Sequence, residues 1–256
     1  MSKVGVGIDF GTTNSVAAIY DGSELSLIDL ERAGPVMPSA TYIDRGLQTK
    51  TGNLAIEQYI SDNTGRTVEL IPEVIGETSK FTESGDSQEP GEVETITEQI
   101  YGAPVTDSGL QGRLFRGTKR LLGDERVRRL MVFKHPFRLV ALITPVLLRI
   151  RQALEREIGS VGSAHIGHPV NFEGRERLRN ELALDRLGEA YKYAGITCQE
   201  FYPEPVAAAV SFLHSQPAVE GENLLTLDFG GGTLDLCVLK REGAQFRVLA
   251  THGIGM

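Results

Sequence analysis

Two copies of one short pattern constrain this chain more than any other feature. Asp9-Phe10-Gly11-Thr12-Thr13 lies between two β-like runs near the N-terminus, and Asp228-Phe229-Gly230-Gly231-Gly232-Thr233 repeats the layout between two later runs. A lone Asp-x-Gly-Thr turn is an everyday hairpin, but three successive glycines are costly in a turn that only has to close. Gly11 lets the backbone approach an anion, and the N–H groups and hydroxyls that follow it can donate to phosphate. Two such turns, each opening its own three-stranded unit, imply two facing hairpins that grip one polyphosphate. Asp9 and Asp228 then stand near a hydrated Mg²⁺, which keeps most of its waters and needs only one or two carboxylates.

The runs around these turns order the rest of the chain. Strands are expected over 4–10, 15–20 and 25–30, the last two joined by an Asp21-Gly22 turn signal, as an antiparallel meander. Thr144-Pro145 has the N-cap and N1 chemistry of a helix start, and Leu147, Ile150, Leu154 and Ile158 recur at helical spacing up to Gly159. A strand over 164–167 follows. Next comes a helix through Leu178, Leu182, Leu187, Tyr191 and Ala194, closed by Gly195, then a short strand over 199–202 and a helix opening with Pro205. After Pro217 strands are expected over 224–228, 234–240 and 246–251, a second βββ unit inside which the chain stops. An α/β architecture follows, and 256 residues suffice for one large domain or two lobes.

Charge is placed unevenly. The net value is −8, yet residues 61–112 hold eleven acids against Arg66 and Lys80, and residues 113–156 hold twelve Lys or Arg against Asp124, Glu125 and Glu155. An acidic block thus precedes a basic one, which reads either as two solvated surfaces in mutual attraction or as a basic face turned to a phosphate or a partner. Nucleic acid is not an expected partner, since the chain is acidic overall, has no Trp and shows no aromatic-interleaved basic motif. The turn- and acid-rich stretch 82–93 reads as a mobile loop. No run approaches the ~18 apolar residues of a membrane span, and the first residues lack the apolar region of a signal peptide. A cytoplasmic location is expected, with Cys198 and Cys237 as free, buried, inert thiols.

Beyond the two turns, the chain resembles the nucleotide-binding domain of the Hsp70 (DnaK-like) family, within the actin, sugar kinase and Hsp70 superfamily. Gly7-Ile8-Asp9-Phe10-Gly11-Thr12-Thr13-Asn14-Ser15 is similar to the family's opening, and Met37-Pro38-Ser39-Ala40-Thr41-Tyr42 to its Pro-Ser segment. Lys119-Arg120-Leu121-Leu122-Gly123 resembles its Lys-Arg-Leu-Ile-Gly, and Glu204-Pro205-Val206-Ala207-Ala208-Ala209 its Glu-Pro-x-Ala-Ala-Ala. The match covers nearly the whole chain except about 61–112. Residues 167–174 are closer to a YegD-like branch, which lacks the usual peptide-binding domain.

The resemblance implies an actin-like ATPase (ribonuclease H-like) fold. Residues 1–217 would form the first lobe, 41–118 its small inserted subdomain with the acidic insertion 61–112, and 218–256 the first strands of an incomplete, C-terminally truncated second lobe. It also implies ATP or ADP and Mg²⁺ as ligands, with clients and co-chaperones as partners of a full-length protein. Thr12, Thr13 and Asn14 would contact phosphates with Gly11, while Gly230, Gly231, Gly232 and Thr233 cradle the β and γ phosphates. Asp9 and Asp228 would hold the waters of Mg²⁺. Lys119 would stabilise charge on the transferred phosphoryl and Glu204 would orient the attacking water, roles that suit phosphoryl transfer by positioning and charge neutralisation.

Simpler readings stand beside these. Lys119 also fits a surface lysine of a basic helix, Glu204 a helix N-terminal acid favoured by the dipole, and Asp235, a match to a family carboxylate near bound cations, fits a partner for a backbone donor. Pro169 matches a proline that couples nucleotide state to the lobes, while His165 and His168 read as structural. For the whole, the expectation is a Mg²⁺-dependent ATPase of chaperone type. The alternatives are a nucleotide-binding module without turnover, a small-molecule kinase, and an actin-like filament ATPase.

Overall fold

Alternation along the first strand decides where the site faces. In a computed structural model that describes residues 5–68, 70–83, 93–173, 178–215, 223–242 and 245–255, β1 (Gly5–Phe10) buries Val6, Ile8 and Phe10 and leaves Gly5, Gly7 and Asp9 on its other face. This is the two-residue period of a pleated strand, so the apolar positions that anchor β1 also fix the outlook of Asp9. β2 (Asn14–Tyr20) runs antiparallel to β1 with Ala18 opposite Gly7, and β3 (Leu25–Leu27) pairs β2. The expected meander forms, with a shorter third strand: Ile28 N–H still donates to the Ala17 carbonyl at 2.9 Å, and Ile28 and Leu30 are buried in the core.

Two compact units are present, Met1–Ile60 with Gly112–Met256 as one and Ser61–Gln111 as the other. Within the first, β4 (Met37–Pro38) pairs β2, and a separate three-stranded sheet joins β5 (Ala40–Asp44), β6 (Thr49–Thr51) and β9 (Gly112–Arg116). α1 (Asn53–Asn63) follows β6. In the second unit, β7 (Leu70–Glu83) and β8 (Val93–Asp107) form an antiparallel ladder inside the acid-rich stretch. The loop expected over 82–93 lies, across 84–92, outside the described residues.

A 3₁₀ turn (Thr118–Leu121) and the hairpin of β10 (Arg129–Val132) and β11 (His135–Arg138) lead to α2 (Leu139–Ile158). The helix begins before Thr144-Pro145, which corrects the expected start and leaves Pro145 inside it. Leu139, Val140, Leu142 and Ile143 are buried, and at roughly 1.5–3 kcal/mol each they outweigh the ~3 kcal/mol penalty of an interior proline. Thr144 Oγ1 turns back to donate to the Val140 carbonyl at 2.8 Å rather than capping a helix. β12 (Ser163–His168), α3 (Arg179–Tyr193) and β13 (Cys198–Pro203) follow as a βαβ unit, with α3 closed by Gly195 at φ +90°.

β12 is parallel to both β1 and β13, so the main sheet reads β13-β12-β1-β2-β3. Its core joins Val6, Ile8 and Phe10 to Leu147, Ile150 and Leu154 of α2 and Leu187 and Tyr191 of α3. α4 (Glu204–Ser215) then packs on an antiparallel sheet of β14 (Asn223–Phe229), β15 (Thr233–Glu242) and β16 (Gln245–Gly255), where Ala209 meets Cys237 and Leu239. Both cysteines are free thiols. Cys237 is buried as expected, but Cys198 is exposed, because it opens β13 at the edge of the main sheet.

Candidate functional site

The two glycine-bearing turns have one geometry. Gly11 N–H donates to the Asn14 carbonyl at 3.0 Å, and Gly230 N–H donates to the Thr233 carbonyl at 2.9 Å, so residues 11–14 and 230–233 each close a four-residue turn. They face each other: a Cβ built on Gly231 would strike the Thr13 hydroxyl. The first turn is fastened from behind, since Ser39 N–H donates to the Thr13 carbonyl at 2.9 Å and the Ser39 and Ser15 hydroxyls lie 2.8 Å apart. This gives the Pro38-Ser39 segment a mechanical reason to lie beside the turn.

A cavity of about 290 Å³ opens between the turns. Asp9, Gly11, Thr12, Thr13 and Asn14 line one side, Asp228, Gly230, Gly231 and Thr233 another, and Lys119 and Glu204 a third. Gly232 is buried beside them, where a Cβ would meet the ends of Glu173 and Arg120. Asp235 stands apart from the lining. It is fully buried, its Oδ1 accepts from Val170 N–H at 3.0 Å, and its Oδ2 has no hydrogen-bond partner among the described residues. Asp235 thus has a backbone donor as partner.

Lys119 reaches the cavity because Gly117, at φ +66°, turns the chain sharply out of β9 into the 3₁₀ turn. Its side chain is 4% exposed, and Nζ donates to Glu204 Oε1 at 2.6 Å. Glu204 is the first residue of α4, so it is a helix N-terminal acid and an ion-pair partner at once. Gly167 leaves room for it, since a Cβ there would approach the Glu204 Cγ to 3.1 Å. Lys119 is no surface lysine.

Three carboxylates and one buried ammonium line this cavity, and the electrostatics record the surplus. Asp9, open to the cavity yet surrounded by protein, has its pKa pushed up to about 6 by burial first, then by the negative charges of Glu204 and Asp228, against the pull of Lys119. Asp228 is also raised, by burial and then by Glu204 and Asp235. The Tyr191 hydroxyl in the core is raised well above its ordinary value by burial, then by Asp9 and Glu204, and has no hydrogen-bond partner among the described residues. A bare phosphate would be repelled by such a wall, whereas a divalent cation would relieve the crowding. Among the described residues no cluster of three metal-ligating side chains occurs. The donor set therefore fits a cation held through its waters by Asp9 and Asp228, with phosphates as its other partners.

Some lining residues carry no sequence signal. Arg120 Nε donates to Glu173 Oε1 at 2.7 Å at the cavity, a pair 53 positions apart that no spacing rule links. Phe172 also lines it, as does Pro169, which the resemblance had singled out. His168 Nδ1–H donates to the Pro169 carbonyl at 2.8 Å, and burial lowers its pKa. His165 lies 3.5 Å from Glu200 on the exposed face of the sheet.

Comparison with known proteins adds an independent observation. A family model described as "Hsp70 protein" matches residues 126–254, half of the chain. Over 249 residues the chain is 27% identical to "Heat shock 70 kDa protein BIP3" of Oryza sativa subsp. japonica, covering 97% of this chain and 33% of that protein. It is 28% identical to "Chaperone protein dnaK1" of a Synechocystis species, covering 99% of this chain and 31% of that protein. It is also 28% identical to "Chaperone protein DnaK 3" of a Synechococcus species, covering 99% of this chain and 33% of that protein. The chain thus spans about a third of the length of the curated relatives it matches.

Proposed function

Given that the chain belongs to the Hsp70 family and has its actin-like ATPase fold, we propose that the cavity holds the phosphates of ATP or ADP and that the full-length protein hydrolyses ATP with water as acceptor. The observation that carries this reading is the buried Lys119–Glu204 pair, set on the wall of a cavity whose other sides are two glycine-bearing turns. Phosphoryl transfer asks for such positioned charge and little else.

In this reading the N–H groups of residues 11–14 and 230–233 bind phosphate oxygens, with the hydroxyls of Thr12, Thr13 and Thr233 as further donors. Lys119 neutralises charge on the transferred group, and Glu204, held by its ion pair with Lys119, orients the attacking water. Mg²⁺, when bound through its waters to Asp9 and Asp228, supplies charge neutralisation for the phosphates. Asp235 holds Val170 N–H and so positions the segment of Pro169 beside the cavity. Clients and co-chaperones would be partners of the whole protein, and the sequence of residues 167–174 supports a place in the YegD-like branch. The division into a first lobe over 1–217, its subdomain over 41–118 and the start of a second over 218–256 belongs to the same proposal. Two unpaired cysteines suit a reducing compartment, which favours the cytoplasm.

A second reading is a nucleotide-responsive module without turnover. The test is a thermal shift with ATP and Mg²⁺, followed by phosphate release with no added acceptor. A shift of the wild type that is lost in D9N and G231V supports binding, and release without acceptor excludes both the kinase and the inert-module readings. No shift at millimolar nucleotide would sink the proposal for this chain.

A further inference from the structure

The excess of basic residues between 113 and 156 is not absorbed by the phosphate cavity, which uses only Lys119 and Arg120 of it. Three of the remaining ten, Arg128, Arg129 and Arg138, line a second cavity of about 320 Å³ together with Arg186 from α3, Leu139 and Val140. Four guanidinium groups around one hollow need an explanation, because the fold does little to neutralise them. Arg129 and Arg138 are direct cross-strand partners in the β10–β11 hairpin, a like-charge pairing that is unfavourable unless something sits between them. Arg138 has one carboxylate, Glu189, at 2.6 Å. Arg128 and Arg129 have no ion-pair partner among the described residues, and the nearby Asp124 is engaged by Arg126 at 2.7 Å.

Arg186 is fixed in place. Its Nη1 donates to the carbonyls of Leu121, Leu122 and Asp124 at 3.3, 2.9 and 2.9 Å, which holds the fork, while among the described residues Nη2 and Nε have no hydrogen-bond partner. Its pKa is lowered, first by burial and then by the positive charges of Arg128 and Arg138, with Asp124 opposing. The floor of the hollow is the first turn of α2. Arg138, at the N-cap, makes no side-chain capping bond there, and the turn contains no acid, so its leading N–H groups lack the usual partners. The arginines converge on the end of a 20-residue helix that itself favours negative charge.

We propose that this cavity is a second anion site, separate from the nucleotide site, which takes a small soluble phosphate compound of about the size of pyrophosphate. Arg128, Arg129, Arg138 and Arg186 would bind its oxygens in charge-assisted hydrogen bonds, and the first-turn N–H groups of α2 would complete the shell. The proposal does not depend on the nucleotide reading, because none of its residues lines the first cavity.

The test is a titration of the full chain with inorganic pyrophosphate in EDTA, so that a cation-dependent site at Asp9 and Asp228 stays out of play. Saturable binding is expected, with amide shifts at Leu139 and Val140. R128Q/R129Q, which alters two exposed side chains without ion-pair partners, should weaken binding by about tenfold or more, while G231V leaves it unchanged. Absence of saturable binding overturns the proposal, as does binding lost in G231V and kept in R128Q/R129Q, or an equal response to sodium chloride at matched ionic strength. Vesicles containing phosphatidic acid separate the sources of phosphate. Binding of pyrophosphate without vesicles supports the soluble ligand, and vesicle binding alone overturns it.

Discussion

Lys119 Nζ donates to Glu204 Oε1 across 85 positions of sequence, and the lysine is only 4% exposed. Removing one partner of such a pair strands the other in a poorly solvated place. K119M should lower stability by about 2–4 kcal/mol, below the full cost of a deeply buried pair because Glu204 still touches the cavity. E204Q keeps the shape, and its loss should fall on chemistry: about a hundredfold in phosphate release, with nucleotide binding retained. Urea unfolding and single-turnover phosphate release check the two outcomes separately.

Asp9 makes stability depend on pH in an unusual direction. Its folded pKa, about 6, lies above the ordinary 3.8, so the folded state holds a proton that the unfolded state has released between those values. The cost of ionising Asp9 is fully present above about pH 6 and is relieved as pH falls toward 4. D9N should therefore raise the melting temperature at pH 8 and have little effect near pH 4, while it abolishes the nucleotide-induced shift. Mg²⁺-dependent nucleotide binding by the wild type should weaken as pH drops below about 6. Thermal scans of both proteins across this range give the answer, and a D9N protein destabilised at pH 8 would contradict the assignment.

Gly231 and Gly117 are glycines for different reasons. A side chain at Gly231 meets the Thr13 hydroxyl across the cavity, so G231V should cut nucleotide affinity at least about tenfold with little loss of stability. A Cβ on Gly117 would make only ordinary contacts, with Arg120 Cδ at 3.8 Å and Thr12 Cγ2 at 3.9 Å, but the backbone is left-handed, so G117A should cost about 1 kcal/mol and displace Lys119. Calorimetric titration and chemical denaturation of the two variants separate steric from conformational demand.

Pro145 withholds an N–H from the Ala141 carbonyl inside α2. P145A restores that donor, and after the entropy returned to the unfolded chain it should still stabilise by about 1–2 kcal/mol. Denaturant midpoints at constant slope would show it.

Thiol titration should resolve two classes. Cys198, exposed at the start of β13, should react with an aromatic disulfide at once in the native protein, and Cys237 only after unfolding, since burial also raises its pKa. Two fast thiols would mean that the sheet of β14, β15 and β16 opens readily.

Strand alternation and turn chemistry made the two hairpins legible, because both depend on residues within a few positions of each other. Gly195 marked the end of α3 for the same local reason. The start of α2 was hidden because Thr144-Pro145 imitates a helix boundary, and only burial of Leu139 to Ile143 against partners distant in sequence overrides it. The β7–β8 ladder was hidden beneath its acid content, which describes solvation and not hydrogen bonding. Among site residues, Lys119 and Glu204 could be placed through resemblance, but their mutual contact could not be read from either segment alone. Arg120 with Glu173, and the four arginines at the foot of α2, are products of tertiary folding with no local signature.

The paired turns share a shape but not a foundation. Behind the first, Phe10 is 1% exposed in the main core; behind the second, Phe229 is 74% exposed on the open face of a three-stranded sheet, in line with Leu225 and Leu227. The first turn is thus backed by the main core, while the second follows a strand whose apolar side chains stand exposed. Local opening is governed by buried apolar contact, so amide exchange should slow on ligand binding more at residues 230–233 than at 11–14. Equal slowing at the two turns would show that the difference in packing behind them has no effect on how they hold a ligand.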